Sequence, residues 1–137
     1  MRKQRDHIGR IFDALVHGRV EEFLAACDEG LIVTAHGSSP VPTRLTKGDL
    51  PDWIGSWRAL TPTSLRSSFE IAGLTKDTAS VLLRHSFGRN GVEYLLEMAN
   101  VVTLRDGLVV EWSSYPVDLA EYSRAWRTWD TFLLASA

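Results

Sequence analysis

From Ser67 to Tyr115 apolar and polar residues alternate with a period of two, and that rhythm constrains this chain more than any other feature. Val81, Leu83, His85 and Phe87 share one face of an extended strand, with Ser80, Leu82, Arg84 and Ser86 on the other, because successive side chains point to opposite sides. Asn90-Gly91 is a hairpin signal, since both residues tolerate the left-handed backbone of a tight primed turn. After it Tyr94, Leu96, Met98, Asn100, Val102 and Leu104 alternate with Glu93, Leu95, Glu97, Ala99, Val101 and Thr103. Asp106-Gly107 marks a second hairpin, followed by a strand from Leu108 to Tyr115. With Phe69 and Ile71 opening the series, the pattern predicts a four-strand antiparallel meander.

The first third has the other period. Ile8, Ile11, Phe12, Leu15 and Val16 form an apolar stripe at helical spacing, and Gly18 suits the helix end. Val20, Phe23, Leu24 and Cys27 continue it as a second helix, predicted to end near Asp28-Glu29-Gly30. Leu31 to Thr34 reads as a short strand, and His36 to Pro42 as a loop by its Gly, Ser and Pro content. A third helix is expected from about Gly48-Asp49-Leu50-Pro51, with Asp49 as its cap, carrying Trp53, Ile54, Trp57 and Leu60 on one side. Asp118 and Glu121 have capping-box spacing ahead of a closing helix lined by Tyr122, Trp126, Trp129 and Leu133. The expected class is α+β: one domain over 1–137, a cone-shaped α+β barrel in which N-terminal helices pack on a curved antiparallel sheet and enclose a cavity.

Composition removes several function classes. Hydrophobic residues make up 45% of the 137 and charged residues 23%, which is globular rather than disordered. Fifteen Lys+Arg against seventeen Asp+Glu give a net charge of -2, which argues against nucleic acid as the partner. Cys27 is the sole cysteine and the four His are scattered, so neither a disulfide nor a metal site is expected. No glycine-rich phosphate loop stands before a helix, and no cofactor is expected. No apolar run approaches a membrane span, and the charged start has no apolar run behind it, so the expectation is a soluble cytoplasmic protein.

The order helix, Gly, helix, short strand, Gly/Pro loop, helix, then hairpins ending in Asp106-Gly107-Leu108-Val109-Val110-Glu111-Trp112 resembles the nuclear transport factor two-like superfamily. Within it the chain is similar to the SnoaL-like polyketide cyclase and ketosteroid isomerase branch, over about Ile8 to Trp126. The resemblance implies a cavity enzyme, but the branch's carboxylates do not carry over. The position matching the isomerase base is Ala35, that of the oxyanion Tyr is Ile11, and that of the second oxyanion donor is Asn100. The position matching the catalytic Asp of limonene epoxide hydrolases is Ser114. Scytalone dehydratase works with cavity His and Asn residues, and here His85 and Asn100 lie on inward registers of neighbouring strands.

Two readings therefore stand at each candidate. His85 interrupts an apolar face and is either a general base or acid, its unperturbed pKa lying near 6.5, or a core histidine bonded to a neighbour. Asn100 is either a donor to a substrate carbonyl or enolate oxygen, or a partner of His85 or the backbone. Asp118 is either an acid/base group, as the resemblance to polyketide cyclases implies, or simply a helix cap. Strand parity predicts that His85, Phe87, Met98, Asn100, Trp112 and Ser114 point into one cavity, and Phe12, Trp53 and Trp57 are candidates for an aromatic wall beside it. His36 sits in the loop expected at the cavity mouth, as a ligand contact or a solvated residue. The expected function is cofactor-independent enolisation, cyclisation or dehydration of an apolar carbonyl or polyketide-like substrate, the alternative being a non-catalytic binding protein for an apolar small molecule.

The opposite register puts Leu95, Ala99, Val101 and Thr103 on the outer face of the sheet. An exposed apolar patch of this kind predicts a homodimer, with Glu93, Glu97 and Arg105 as a polar rim able to pair across it with Arg84 and Arg89.

Overall fold

The structure is a computed structural model, and it describes residues 2–37, 43–58, 65–89 and 91–125, the side chains of 57, 58 and 89 excepted. Helices α1 (Arg2–Val16) and α2 (Val20–Ala25) come first, then β1 (Cys27–Ala35) and β2 (Thr43–Thr46). A 3-10 turn (Lys47–Asp49) leads into α3 (Leu50–Arg58), followed by β3 (Arg66–Leu74), β4 (Thr78–Arg89), β5 (Val92–Arg105) and β6 (Leu108–Pro116). Residues 119–125 are helical. The α+β class is as expected: helices lie on one face of a curved six-stranded sheet of order β2-β1-β6-β5-β4-β3.

The meander β3-β4-β5-β6 follows the alternation. Its turns sit at Gly91 (φ 77°) and at Asp106 (φ 53°) with Gly107 (φ 79°), backbone that favours Gly and Asp. Three expectations need correction. The sheet adds a strand, β2, to the expected short strand and four-strand meander, and with β2 and β3 as its edges it stays unclosed. The second helix stops at Ala25, because the Ala26 carbonyl accepts the Val109 N–H (2.9 Å) and Cys27 starts the parallel pairing of β1 with β6. Asp49 is not the cap itself. Thr46 takes that place, and the Asp49 carboxylate accepts its backbone N–H at 2.8 Å, which holds that carboxyl below the ordinary range.

The core lies between the helices and the concave face of the sheet, and Trp112 is its centre. Phe23, Trp53 and Phe12 meet its ring edge-on, with centroids at 5.5, 5.5 and 6.4 Å. Such pairs contribute about 0.5–1.5 kcal/mol each beyond area burial. At the helical hairpin Arg19 bonds both Asp13 and Glu22 at 2.7 Å, and the Arg19 guanidinium holds the Asp13 carboxyl below its usual range.

On the convex face Leu82, Ala99 and Tyr115 line up across β4, β5 and β6, with Val101 and Leu95 exposed beside them. Arg84 bonds Glu97 (3.2 Å) and Glu70 (3.3 Å) of its own chain, so this Arg–Glu pair is closed within the protomer instead of standing ready to bridge two copies. The expectations for the 38–42 loop, the Trp57 side chain, Leu60, the Arg89 side chain, Trp126, Trp129 and Leu133 lie outside the described residues.

Candidate active site

The concave face of β4, β5 and β6 does not pack completely against the helices. A cavity of about 60 Å³ remains, lined by His85, Phe87, Met98, Asn100, Trp112 and Ser114, the six residues that strand parity put on one face. Trp53 of α3 joins them, with Leu65, Leu83, Leu96 and Tyr122. The apolar wall makes every polar group in it expensive to leave unpaired. No carboxylate is among the described lining residues, so the nitrogen base facing the space is the His85 imidazole.

His85 stands on β4 directly opposite Ser67 of β3, and its Nδ1 shares a 2.8 Å hydrogen bond with the Ser67 hydroxyl. The anticipated His85–Asn100 bond is replaced by this one, because Ser67 is the strand neighbour on the side its Nδ1 faces. The sequence reading passed over Ser67; its period-two position with Phe69 and Ile71 was the signal that places it on the inner face.

Asn100 lines the cavity but spends its amide inside the protein. Trp112 Nε1 donates to Oδ1 at 2.7 Å, while Nδ2 donates to the carbonyls of Met98 (2.9 Å) and Val81 (3.3 Å). Both amide hydrogens are thus engaged, which corrects the picture of a donor held ready for a substrate oxygen. Ser114, directly opposite Asn100 on β6, is the reverse case. It is 3% exposed, its carbonyl accepts the His36 N–H, and its hydroxyl has no partner among the described residues.

Three candidates lie elsewhere. Phe12 is packed in the main core behind Trp112 and does not reach the cavity. His36 stacks on Tyr115 (4.2 Å between centroids, 12° between planes) on the convex side, because Ser114 faces inward and its neighbour Tyr115 therefore faces out. Asp118 is exposed and its Oδ1 accepts the Glu121 N–H at 3.0 Å, the geometry of a helix cap. That helix brings Tyr122 to the cavity, a residue expected only as core. Gly37 (φ 113°) makes the approach feasible, since a Cβ there would lie 2.8 Å from Pro116 and 3.2 Å from the Tyr122 ring. The Trp57 side chain is outside the described residues.

Among solved structures, the candidate polyketide cyclase IdmH of Streptomyces antibioticus superposes with a TM-score of 0.71 at 16% identity, covering 87% of this chain and 95% of that one. The chain has the nuclear transport factor two-like fold. TerC, co-crystallised with polyporic acid, shares that fold with a TM-score of 0.71 at 12% identity, over 88% of this chain and 95% of its own. An LEH-like epoxide hydrolase of M. tuberculosis gives a TM-score of 0.61 at 14% identity, over 96% of this chain and 95% of its own. No protein-family model and no curated protein matches the sequence. At these identities the nuclear transport factor two-like fold is what is shared, and the chemistry has to be argued from the cavity.

Proposed function

We propose that this chain is a cofactor-independent enzyme acting on a small apolar carbonyl compound, or on one end of a polyketide-like chain, by enolisation, cyclisation or dehydration. The observation that carries the reading is the buried Ser114 hydroxyl, which has no partner among the described residues and borders the same apolar cavity as the His85 ring. A buried hydroxyl left unpaired costs about 1–3 kcal/mol, and a ligand oxygen relieves that cost. In the proposed reaction His85 takes the proton from the carbon beside the carbonyl, and that C–H electron pair moves into the new C=C bond. The carbonyl π pair moves to oxygen, and the enolate oxygen accepts the Ser114 hydrogen bond. The imidazolium then returns the proton to carbon, or gives it to a departing β-hydroxyl, which leaves as water. In cyclisation the enolate carbon attacks a second carbonyl. The role first given to Asn100 passes to Ser114, and Asn100 acts as the brace that fixes Trp112. A cavity of about 60 Å³ is below the roughly 300–1,000 Å³ of drug-sized ligand sites, which favours a single ring or a short chain.

The test is α-proton exchange of cyclohexanone and 2-tetralone in D2O, followed by NMR. Acceleration by the protein, lost by about a hundredfold or more in His85→Ala, supports the enzyme. A second reading, a non-catalytic carrier of an apolar small molecule, draws on the closed hydrogen bonding of Asn100. Binding of either ketone with no acceleration of exchange selects it.

A homodimer through the convex face is also proposed. Leu95, Val101 and Tyr115 are each 42–48% exposed there, and a polar groove beside them carries Arg44 and Arg105 with Asp28 and Glu111. Two positive and two negative groups on one patch complement a second copy turned about a two-fold axis. No described helix is long and apolar enough to cross a membrane. A cytoplasmic setting is proposed from Cys27, which is a free buried thiol.

A further inference from the structure

We infer that Trp53 is the specificity-determining residue of the cavity: with Trp112 it forms a corner that accepts a flat unsaturated ring and turns away a puckered saturated ring of the same size. The inference rests on the reading of the cavity as a ligand site. Trp53 and Trp112 both line it, with ring centroids 5.5 Å apart and planes at 77°. Trp112 is fixed by its N–H bond to Asn100 Oδ1 and by the edge contacts of Phe12 and Phe23. Trp53 belongs to α3, where Leu50 and Ile54, one helical turn apart and fully buried, anchor the helix in the core. Three residues after Leu50, Trp53 shares their side of the helix, and its half-buried ring becomes a wall of the cavity.

Two indole planes near a right angle constrain a guest more than a featureless apolar wall does. Aromatic rings favour offset-stacked or edge-to-face contact, because a ring's face is negative and its edge positive. A flat ring lying parallel to one indole stands nearly perpendicular to the other, so both contacts take a preferred geometry at once. A chair-shaped ring has no flat face to lay on either wall and no quadrupole to match, and its axial hydrogens hold its carbons away. A cavity of about 60 Å³ leaves little room to compensate. The corner also orients the guest. Ser114 is the next inward position after Trp112 on β6, roughly 7 Å along the strand, which brings its hydroxyl within reach of a carbonyl on the rim of the ring. The ligand class that follows is a single unsaturated ring bearing a carbonyl.

The experiment compares acetophenone with cyclohexyl methyl ketone, which carry the same methyl ketone on a flat and on a puckered ring. Each is titrated into the 15N-labelled full chain, and the dissociation constant is read from the backbone N–H signals of Asn100 and Ser114, which border the cavity. Acetophenone is expected to bind about tenfold more tightly. Trp53→Phe, which keeps a flat wall, should hold that preference to within about threefold, whereas Trp53→Leu should bring the two ketones within about twofold of each other. Equal affinities in the unsubstituted chain overturn the inference and leave the cavity a ligand site. A preference that survives Trp53→Leu overturns it as well, since selection then lies with other walls. If neither ketone moves those signals, the cavity reading and the inference fall together. If acetophenone is preferred but its methyl protons exchange no faster with D2O, the enzyme reading alone fails and the inference stands. Should Trp53→Leu not fold, Trp53→Met takes its place, since a flexible thioether fills irregular space and has no flat face.

Discussion

Trp112 donates its indole N–H to Asn100 Oδ1 over 2.7 Å, and this contact decides which way the Asn100 amide faces. An indole nitrogen can only donate, so its partner must be the amide oxygen, and the NH2 group is left to the Val81 and Met98 carbonyls. Asn100→Ala strands one buried donor and weakens two acceptors at once. It should destabilise the fold by about 2–4 kcal/mol in urea unfolding. Full stability with lost ketone exchange would instead return Asn100 to the role of substrate donor.

Ser114→Ala should do the opposite. It removes a buried hydroxyl that has no partner among the described residues, so stability stays level or rises by up to about 1 kcal/mol. Ketone exchange should drop by about 10- to 100-fold, in the range of a single lost oxyanion donor. A clear loss of stability in thermal unfolding would show that the hydroxyl is bonded within the fold.

Val101→Glu should convert a dimer to monomer. Val101 is 42% exposed on the convex face, and pairing two copies there would bury the new carboxylate unpaired. Light scattering at two protein concentrations checks it. A particle of single-chain mass in the unsubstituted protein at both concentrations removes the dimer altogether.

Burial pushes the Cys27 thiol up to about 11 from an ordinary value of 9.0, with the Lys47 charge opposing weakly. The folded form therefore stays protonated where the unfolded form ionises. The stability this represents is fully present below pH 9 and is lost as pH rises from 9 through 11. Two units correspond to on the order of 3 kcal/mol. Cys27→Ala should show a correspondingly flatter decline over that window in urea unfolding. Equal slopes would mean that Cys27 ionises as readily folded as unfolded.

The sequence made the inner face of the meander readable because periodicity is strict within each strand, over 81 to 87, 94 to 104 and 112 to 114, although a bulge in β6 puts both Val109 and Trp112 on the buried side. It could not place what depends on pairing partners. Cys27 keeps helical spacing with Phe23 and Leu24, and only its ladder with Val109 shows that it is already strand. Thr43–Thr46 is an edge strand with Leu45 as its single apolar residue, so it carries no alternation to detect. Ser67 looked like an ordinary strand serine until His85 stood opposite, and Asp118 attracted attention through its residue type although its capping geometry accounts for it.

The parallel ladder between β1 and β6 bears on how the molecule is made. The strand next to the N-terminal helices pairs on one side with nearby β2, but its partner on the other side is β6, about 75 residues further along the chain. During synthesis α1, α2 and β1 leave the ribosome long before β6 exists, while β4 and β5 can zip as a local hairpin. Closing so distant a pair is an entropic cost that must be met before its contacts reward it, which places the step late in folding. A chain stalled before Leu108 would present the unpaired edge of β1 to its surroundings, so truncation from the C-terminal side carries an aggregation hazard that the finished sheet does not.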